Sequence, residues 1–469
     1  MGFNGIYLGM TPKGAVWFNE DAHMLTIAQS GGGKNTSLIM PNLLMNRFQG
    51  SKIILDLKGE NAAVCSYWKN KRNDGQAHRL NPWKIFGMSS IKYNPFCVLD
   101  AYSENLYEDC VQMAESIVLD RPNQSDTGEH FDELARDFIT IFLLYLTVRD
   151  RIEPPTPASL YREIVDKTVS ATSLGYVVQD LKDITHPDSY IKEAMELGAK
   201  TLEGIIANGD SKEFGSVKTT LTRYLKSFRS RVLTETVSAD KEKSYKLLDF
   251  LFTRKGNNDL YLCIPQKQLS NGRVWLRLLL RSFTIYLMRN LPKKKVLFLL
   301  DEFPQLGNFQ PILDDAAYLR GYGVRFWFIA QNIGQFKLHY GEQGMEIIME
   351  NCKVKQFFNI EDATAKYVSE KLGKDSFMIK DLGTRQYRST YTEDIMSRTE
   401  VEQFKMVVNF ITGQKPKLLS KKSYYEIPEI STRALPNPLF YGLDKWRKQA
   451  KPIIEDRAML LEKIRKEKD

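Results

Sequence analysis

Three stretches of this chain place chemically capable side chains directly after apolar runs. Gln29-Ser30-Gly31-Gly32-Gly33-Lys34-Asn35-Thr36 follows the run Met24–Ala28. Asp301 and Glu302 close a second run, Lys295–Leu300, and Gln331 closes a third, Gly323–Ala330. Glycines allow a backbone to turn its N–H groups inward around an anion, and a lysine opening the next helix adds its charge to the helix's positive end. Such a turn holds phosphate. Hydrolysis of a nucleoside triphosphate needs phosphate donors, a metal and a group that polarises water, because phosphoryl transfer is mostly positioning and charge stabilisation. In those terms Gly31, Gly32, Gly33 and Lys34 hold the phosphates. Asp301, with Thr36 or Asn35, holds Mg2+ directly or through water; Glu302 activates the water, and the Gln331 amide senses the γ-phosphate.

The loop follows the G-x-x-x-x-G-K-[ST] pattern with two departures: Ala28 stands at the first glycine and Asn35 at the hydroxyl, with Thr36 one place later. Taken singly, each element has a plainer explanation. A glycine-rich turn can simply carry a solvated lysine, an acid pair after a strand is often a helix cap, and a glutamine at a strand end is commonly structural. Their occurrence together, each at a strand tip, selects the nucleotide reading.

Strands alternating with helices predict an α/β fold with a parallel, doubly wound sheet. The mostly helical pattern from Leu99 to Lys243 predicts a bundle inserted into it. The expected boundaries are a first nucleotide-binding part at 1–98, an all-α domain at 99–243, a second nucleotide-binding part at 244–434 and a charged tail at 435–469. Ile6–Leu8 and Ala15–Phe18 read as a hairpin, and Pro41 should kink the helix after the phosphate loop. Asp56, Lys58 and Glu60 end a buried strand, either as ligand contacts at the sheet's carboxyl edge or as an ordinary polar loop. Val217–Thr236 mixes Lys218, Arg223, Lys226, Arg229 and Arg231 with Tyr224 and Phe228, which suits either nucleic-acid contact or a solvated helix face. The segment from Gly413, with Lys415, Lys417, Lys421 and Lys422, reads as a solvated or frayed end or a partner-binding one, and Ile453–Lys468 as a surface helix.

The 469 residues, 43% hydrophobic and 26% charged, suit a soluble globular protein with well-buried cores and exclude general disorder. The net charge of +9 favours polyanionic partners only weakly, being spread over a large surface. Five scattered cysteines suggest neither a disulfide framework nor a zinc site and fit a reducing cytoplasm. Phe138–Val148, the longest apolar run, is too short to span a bilayer, and the N-terminus has no signal-peptide pattern. The chain is therefore expected not to cross a membrane.

The stretch Leu25–Ala28 through Gly33-Lys34 to Ile39–Leu44, the segment Ile54–Asn61, Leu300–Phe303 with Gln305-Leu306-Gly307, Arg320–Gly323, Ile329–Asn332 and Tyr340-Gly341 carry a resemblance. Over about residues 6 to 430 the chain is similar to the coupling ATPases of type IV secretion and conjugation, the TraG- and TraD-like proteins. The resemblance implies a RecA-like P-loop NTPase domain with a parallel central sheet, interrupted by an all-helical domain. It also implies a homo-hexamer with ATP and Mg2+ between subunits, working as a DNA-stimulated ATPase at the cytoplasmic face of the bacterial inner membrane. The task implied is delivery of DNA, as a single strand with its relaxase, or of protein effectors, to the components of a type IV secretion channel. Lys34 matches the family's phosphate lysine, Asp301 and Glu302 its metal and water residues, and Gln331 its sensor. Arg320 matches an arginine that reaches the neighbouring subunit's nucleotide. Family members usually begin with membrane helices, so the expectation here is a cytoplasmic fragment or a member docked by partners. Two other functions fit the same residues: an ATP-binding receptor platform with little hydrolysis, and an FtsK-type DNA translocase.

Overall fold

The structure, a computed structural model, describes residues 5–71, 75–119, 125–151, 154–207, 212–237, 241–254, 256–380 and 387–454. All but the first two residues of the helix expected over Ile453–Lys468 lie outside the described residues. In chain order the strands are β1 (Ile6–Thr11), β2 (Gly14–Phe18), β3 (His23–Ala28), β4 (Gly50–Asp56), β5 (Ala77–Leu80), β6 (Asp259–Cys263) and β7 (Lys295–Leu300). They continue with β8 (Val324–Ala330), β9 (Cys352–Phe358), β10 (Lys374–Lys380), β11 (Tyr387–Asp394), β12 (Val407–Ile411) and β13 (Lys417–Leu419). The chain forms two compact units: one holds residues 1–49, 299–304 and 325–434, the other residues 50–298, 305–324 and 435–469.

In the first unit, β8, β3 and β9 run parallel, while β12 and β13 extend the β9 edge antiparallel. Every residue of β3 and β8 is buried, the pattern of strands covered on both faces. The parallel expectation therefore holds at the centre of this sheet and fails at its edge. Register here is fixed by buried polar side chains. Gln356 of β9 sits directly opposite Thr26 of β3 and Asn409 of β12. Trp327 Nε1 donates to Thr26 Oγ1 at 2.8 Å, and Thr26 donates to Gln356 Oε1 at 3.0 Å. The Gln356 amide donates to Asn409 Oδ1 at 2.7 Å and to the Leu8 carbonyl at 3.0 Å. A slip of one residue would turn these groups to the opposite face and strand them among apolar side chains.

β1 and β2 form the expected hairpin. Asn42 joins it to the helix behind the phosphate loop, accepting from the Tyr7 N–H at 2.7 Å and donating to the Tyr7 carbonyl at 3.0 Å. That helix opens with a π turn, Asn35–Ile39, and continues as an α-helix, Met40–Met45. Pro41 lies in the first turn of the α segment, where its missing N–H costs little, so the irregularity falls one turn earlier than expected.

In the second unit, β4, β6 and β5 are parallel. Among the described residues, Leu106–Leu248 holds helices and no strand, which gives the expected all-helical insertion between β5 and β6. Arg223 and Tyr224 both donate to the buried Asp132 carboxylate, at 3.0 and 2.9 Å. Phe228 is in the core, so it is unavailable to stack on a base. Arg223 thus serves helix packing, while Lys226 and Arg229 remain exposed. Asp56 accepts from the Ala62 N–H at 2.8 Å and Glu60 from the Asn437 amide, which makes both structural in the manner of a polar loop and helix start. Among the described residues, the chain beyond Gly413 is not a solvated end. β13 is paired, Tyr424 is buried, and Trp446 is fully buried with its indole N–H donating to the Ala63 carbonyl at 3.0 Å. A local reading misses this because charged residues surround each anchoring aromatic. Among the described residues no helix is long and apolar enough to cross a membrane.

Replacing Gln356 by Met keeps the side-chain length but leaves Thr26, Asn409 and the Leu8 carbonyl without their shared partner. The expected loss of stability is about 2–4 kcal/mol, read from the midpoint of urea unfolding. An unchanged midpoint would mean that the network does not set this sheet.

Candidate phosphate-binding site

The phosphate loop leaves β3 and is shaped by its glycines. Gly31 and Gly33 have φ of +80° and +84°, in the left-handed region, so successive peptides can alternate as an anion nest requires. Gly32 is needed for a different reason. A Cβ there would lie 2.9 Å from Asn359 Cβ and 3.0 Å from the Gln29 carbonyl. The turn after β9 forms this wall: Gln29 N donates to the Asn359 carbonyl at 3.2 Å, and Gln29 Nε2 to Glu361 at 3.0 Å. Ser30 and Gly31 form the exposed crest. The Gly33 carbonyl accepts from Ser37 N at 2.8 Å and from the Thr36 hydroxyl at 3.3 Å, so the loop passes directly into the π turn.

Lys34, at the head of that turn, points at the tip of β7. Its ammonium is bonded to Glu302 and lies 3.8 Å from Asp301 Oδ1, and the three side chains are only 11–16% exposed. Gln331, at the tip of β8, donates from Nε2 to the other Glu302 oxygen at 3.1 Å. Its own N–H donates to Gln335 Oε1 at 3.0 Å, which fixes the residue at the strand end. The four residues that sequence placed on three separate strand tips are therefore one cluster within the first unit.

Glu302 has φ of +57°, a conformation that non-glycine residues rarely adopt. The next residue holds it there. Phe303 is fully buried, 4.8 Å from the Phe328 ring and stacked within 12° of parallel on Tyr340 at 6.2 Å. Such a conformation costs about 1–3 kcal/mol and persists only where the surrounding packing over-determines it. The oxygen donors near Lys34, a carboxylate and a threonine hydroxyl, are of the hard kind that Mg2+ takes. Asn35, half-buried at the start of the turn, offers an amide oxygen of the same class.

Arg320 belongs to the second unit. It begins the exposed 3-10 turn Arg320–Tyr322, flanked by Tyr318 and Tyr322, whose hydroxyls are 2.8 Å apart. Sequence reasoning missed the outer wall of the loop, Asn359 and Glu361, and also Lys421, which donates to the Gly32 carbonyl at 3.2 Å. Their only local signals were an Asn after a β-rich run and a lysine pair before two tyrosines. Neither points to a loop hundreds of residues away.

A glycine loop between a buried parallel strand and a helix, with its lysine against an acid pair on another strand tip, defines the class: a P-loop NTPase fold of the RecA-like kind. The comparisons with known proteins agree. The family model described as "Type IV secretory system Conjugative DNA transfer" matches residues 5–441, and the chain belongs to that family. It is 26% identical to the conjugal transfer protein TraG of Escherichia coli over 403 residues, 81% of this chain and 60% of that protein. It is 25% identical to the protein VirD4 of Rhizobium rhizogenes over 460 residues, covering 91% and 63%. The chain thus spans roughly 60% of the length of these relatives. Its fold is that of the bacterial conjugative coupling protein TrwBdeltaN70 in its unbound form, with a TM-score of 0.63, 15% identity and 88% of each chain covered. TrwB in complex with ADP and Mg2+ gives a TM-score of 0.61 at 14% identity, again covering 88% of each chain.

Lys34 cannot serve Glu302 and a phosphate fully at the same time. Glu302→Gln removes the competing charge and keeps the side-chain shape, so affinity for a nucleoside triphosphate should rise about three- to tenfold while turnover falls by about 100-fold or more. Equilibrium titration alongside steady-state phosphate release checks both. Parental turnover in this variant would remove Glu302 from the chemistry.

Proposed function

We propose that this chain is an ATP-driven coupling protein that delivers DNA with its attached relaxase, or protein effectors, to a type IV secretion channel. The observation that carries the reading is the Lys34–Glu302–Gln331 cluster beside a glycine loop, in a chain of the conjugative DNA transfer family. The nucleotide is ATP with Mg2+, in keeping with the solved TrwB complexes with an ATP analogue and with ADP and Mg2+. Residues Gln29–Thr36 wrap the phosphates with backbone N–H groups. Lys34 bonds the outer phosphate oxygens, exchanging one anionic partner for another. Asp301, with Thr36 or Asn35, would hold Mg2+, which supplies charge neutralisation at the phosphates when bound. Glu302, released from Lys34, accepts a proton from the attacking water, and Gln331, already bonded to Glu302, registers whether the γ-phosphate is present.

Arg320 acts on the nucleotide of a neighbouring subunit in a homo-hexamer, since a residue on an exposed turn can reach across an interface. The division at 1–98, 99–243, 244–434 and 435–469 assigns hydrolysis to the two sheet parts and substrate reception to the helical part. The working place is the cytoplasmic face of the bacterial inner membrane, with channel components as partners.

Lys34→Ala should abolish nucleotide binding and hydrolysis while the chain still folds, read from its circular dichroism spectrum, although its melting temperature falls because Asp301 and Glu302 lose their shared cation; hydrolysis at the parent rate would eliminate the site. Arg320→Ala should lose turnover only in the assembled state, so an equal loss in a strictly monomeric preparation would refute action across subunits. Single-stranded DNA should stimulate turnover, and its binding should weaken with salt at a log–log slope of about −0.7 per phosphate contacted. Turnover and binding that ignore DNA would leave protein effectors as the cargo.

A further inference from the structure

Lys421 sits on a segment tied down on both sides. Just before it, Ser420 exchanges backbone bonds with Met10, N–H to carbonyl at 2.8 and 3.0 Å. Just after it, Ser423 and Glu426 close a capping box around a short 3-10 turn in which Tyr424 is buried, and this turn packs against the π turn behind the phosphate loop. From this strap the Lys421 ammonium lies 4.9 Å from the centre of the Phe358 ring and donates to the Gly32 carbonyl at 3.2 Å. Half-burial disfavours its charge and pushes its pKa below the ordinary lysine value. A charge-assisted bond to the loop carbonyl and the face of an aromatic ring compensate for part of that cost.

A peptide unit is planar and trans, so its carbonyl and its N–H point in opposite directions. Fixing the Gly32 carbonyl toward Lys421 therefore fixes the Gly33 N–H on the opposite side of the peptide, away from Lys421. A triglycine turn has little rotational preference of its own, and this peptide would otherwise sample orientations in which its carbonyl faces the anion. Asn359 closes the side of Gly32 where a Cβ would stand, and Lys421 holds the Gly32 carbonyl through charge. We propose that Lys421 is a positioning residue for the phosphate loop, its ammonium holding the Gly32–Gly33 peptide with the N–H turned toward the nucleotide phosphates. The inference rests on the nucleotide reading of the site and adds to it a control point on the strap after β13.

The test compares the parent 469-residue chain with Lys421→Met, which keeps the stem over Phe358 but has no ammonium, and with Lys421→Arg, which restores a charged donor. Titration with a fluorescent ADP in the presence of Mg2+ gives Kd, and thermal melting without nucleotide reads the fold. Lys421→Met should raise Kd about tenfold with an unchanged melting temperature, and Lys421→Arg should return most of that affinity. A merely structural lysine would lower the melting temperature of the Met variant and leave Kd alone, which would overturn the proposal, as would equal Kd values for parent and Met variant. If the parent itself fails to bind the probe, the nucleotide reading falls together with this one. Binding by the parent alongside an unaffected Met variant sinks only the role of Lys421.

Discussion

The largely desolvated pairing of Lys34 with Glu302 and Asp301 organises the strand tips of the first unit. An ammonium and a carboxylate about 4 Å apart attract by about 4 kcal/mol at an effective dielectric constant of about 20, before desolvation is subtracted. Lys34 has such an interaction with Asp301 at 3.8 Å and a closer one with Glu302, in a setting only 11–16% exposed. Charges removed from water in this way are stable only while something of opposite sign remains beside them. A triphosphate can satisfy that demand on Lys34, and the carboxylates must then find other partners. In the proposed nucleotide reading, an arriving triphosphate would release Glu302 from Lys34 by charge exchange and so act on the Glu302–Gln331 bond.

The rest of the first unit holds the geometry of this cluster. Glu302 keeps an unfavourable backbone conformation because Phe303 is locked among Phe328, Phe336 and Tyr340. The strands carrying Lys34 and Gln331 are held in register by the Gln356 network rather than by apolar packing alone. Apolar contact is tolerant of small slips; a chain of buried hydrogen bonds is not. The loop is braced from outside by the turn after β9 and by the strap carrying Lys421. Segments that look peripheral in the sequence thus serve the centre of the site.

The second unit distributes its charges differently. Asp56, Glu60 and Asp132 cap a helix or anchor helix packing, and the basic helix near Val217 spends Arg223 on that anchoring. Lys226, Arg229 and Arg231 stay exposed there, Arg231 in an exposed pair with Glu235.

The sequence by itself determined the glycine turn, the lysine after it, the acids and amide at the strand ends, and the alternation of strands and helices. These are legible because each depends on residues within a few positions of one another: a turn on its glycines, a buried strand on its apolar run, a helix on its periodicity. Only the tertiary structure decided which strand tips meet, that Glu302 bonds both Lys34 and Gln331, that Asp56 caps a helix, and that Lys421 reaches a loop 389 positions earlier. It also decided that β12 and β13 run antiparallel and that Trp446 is a core residue. Such contacts join residues whose local surroundings resemble any solvated segment, and their geometry is fixed by long-range packing and pairing, which no short window of sequence contains.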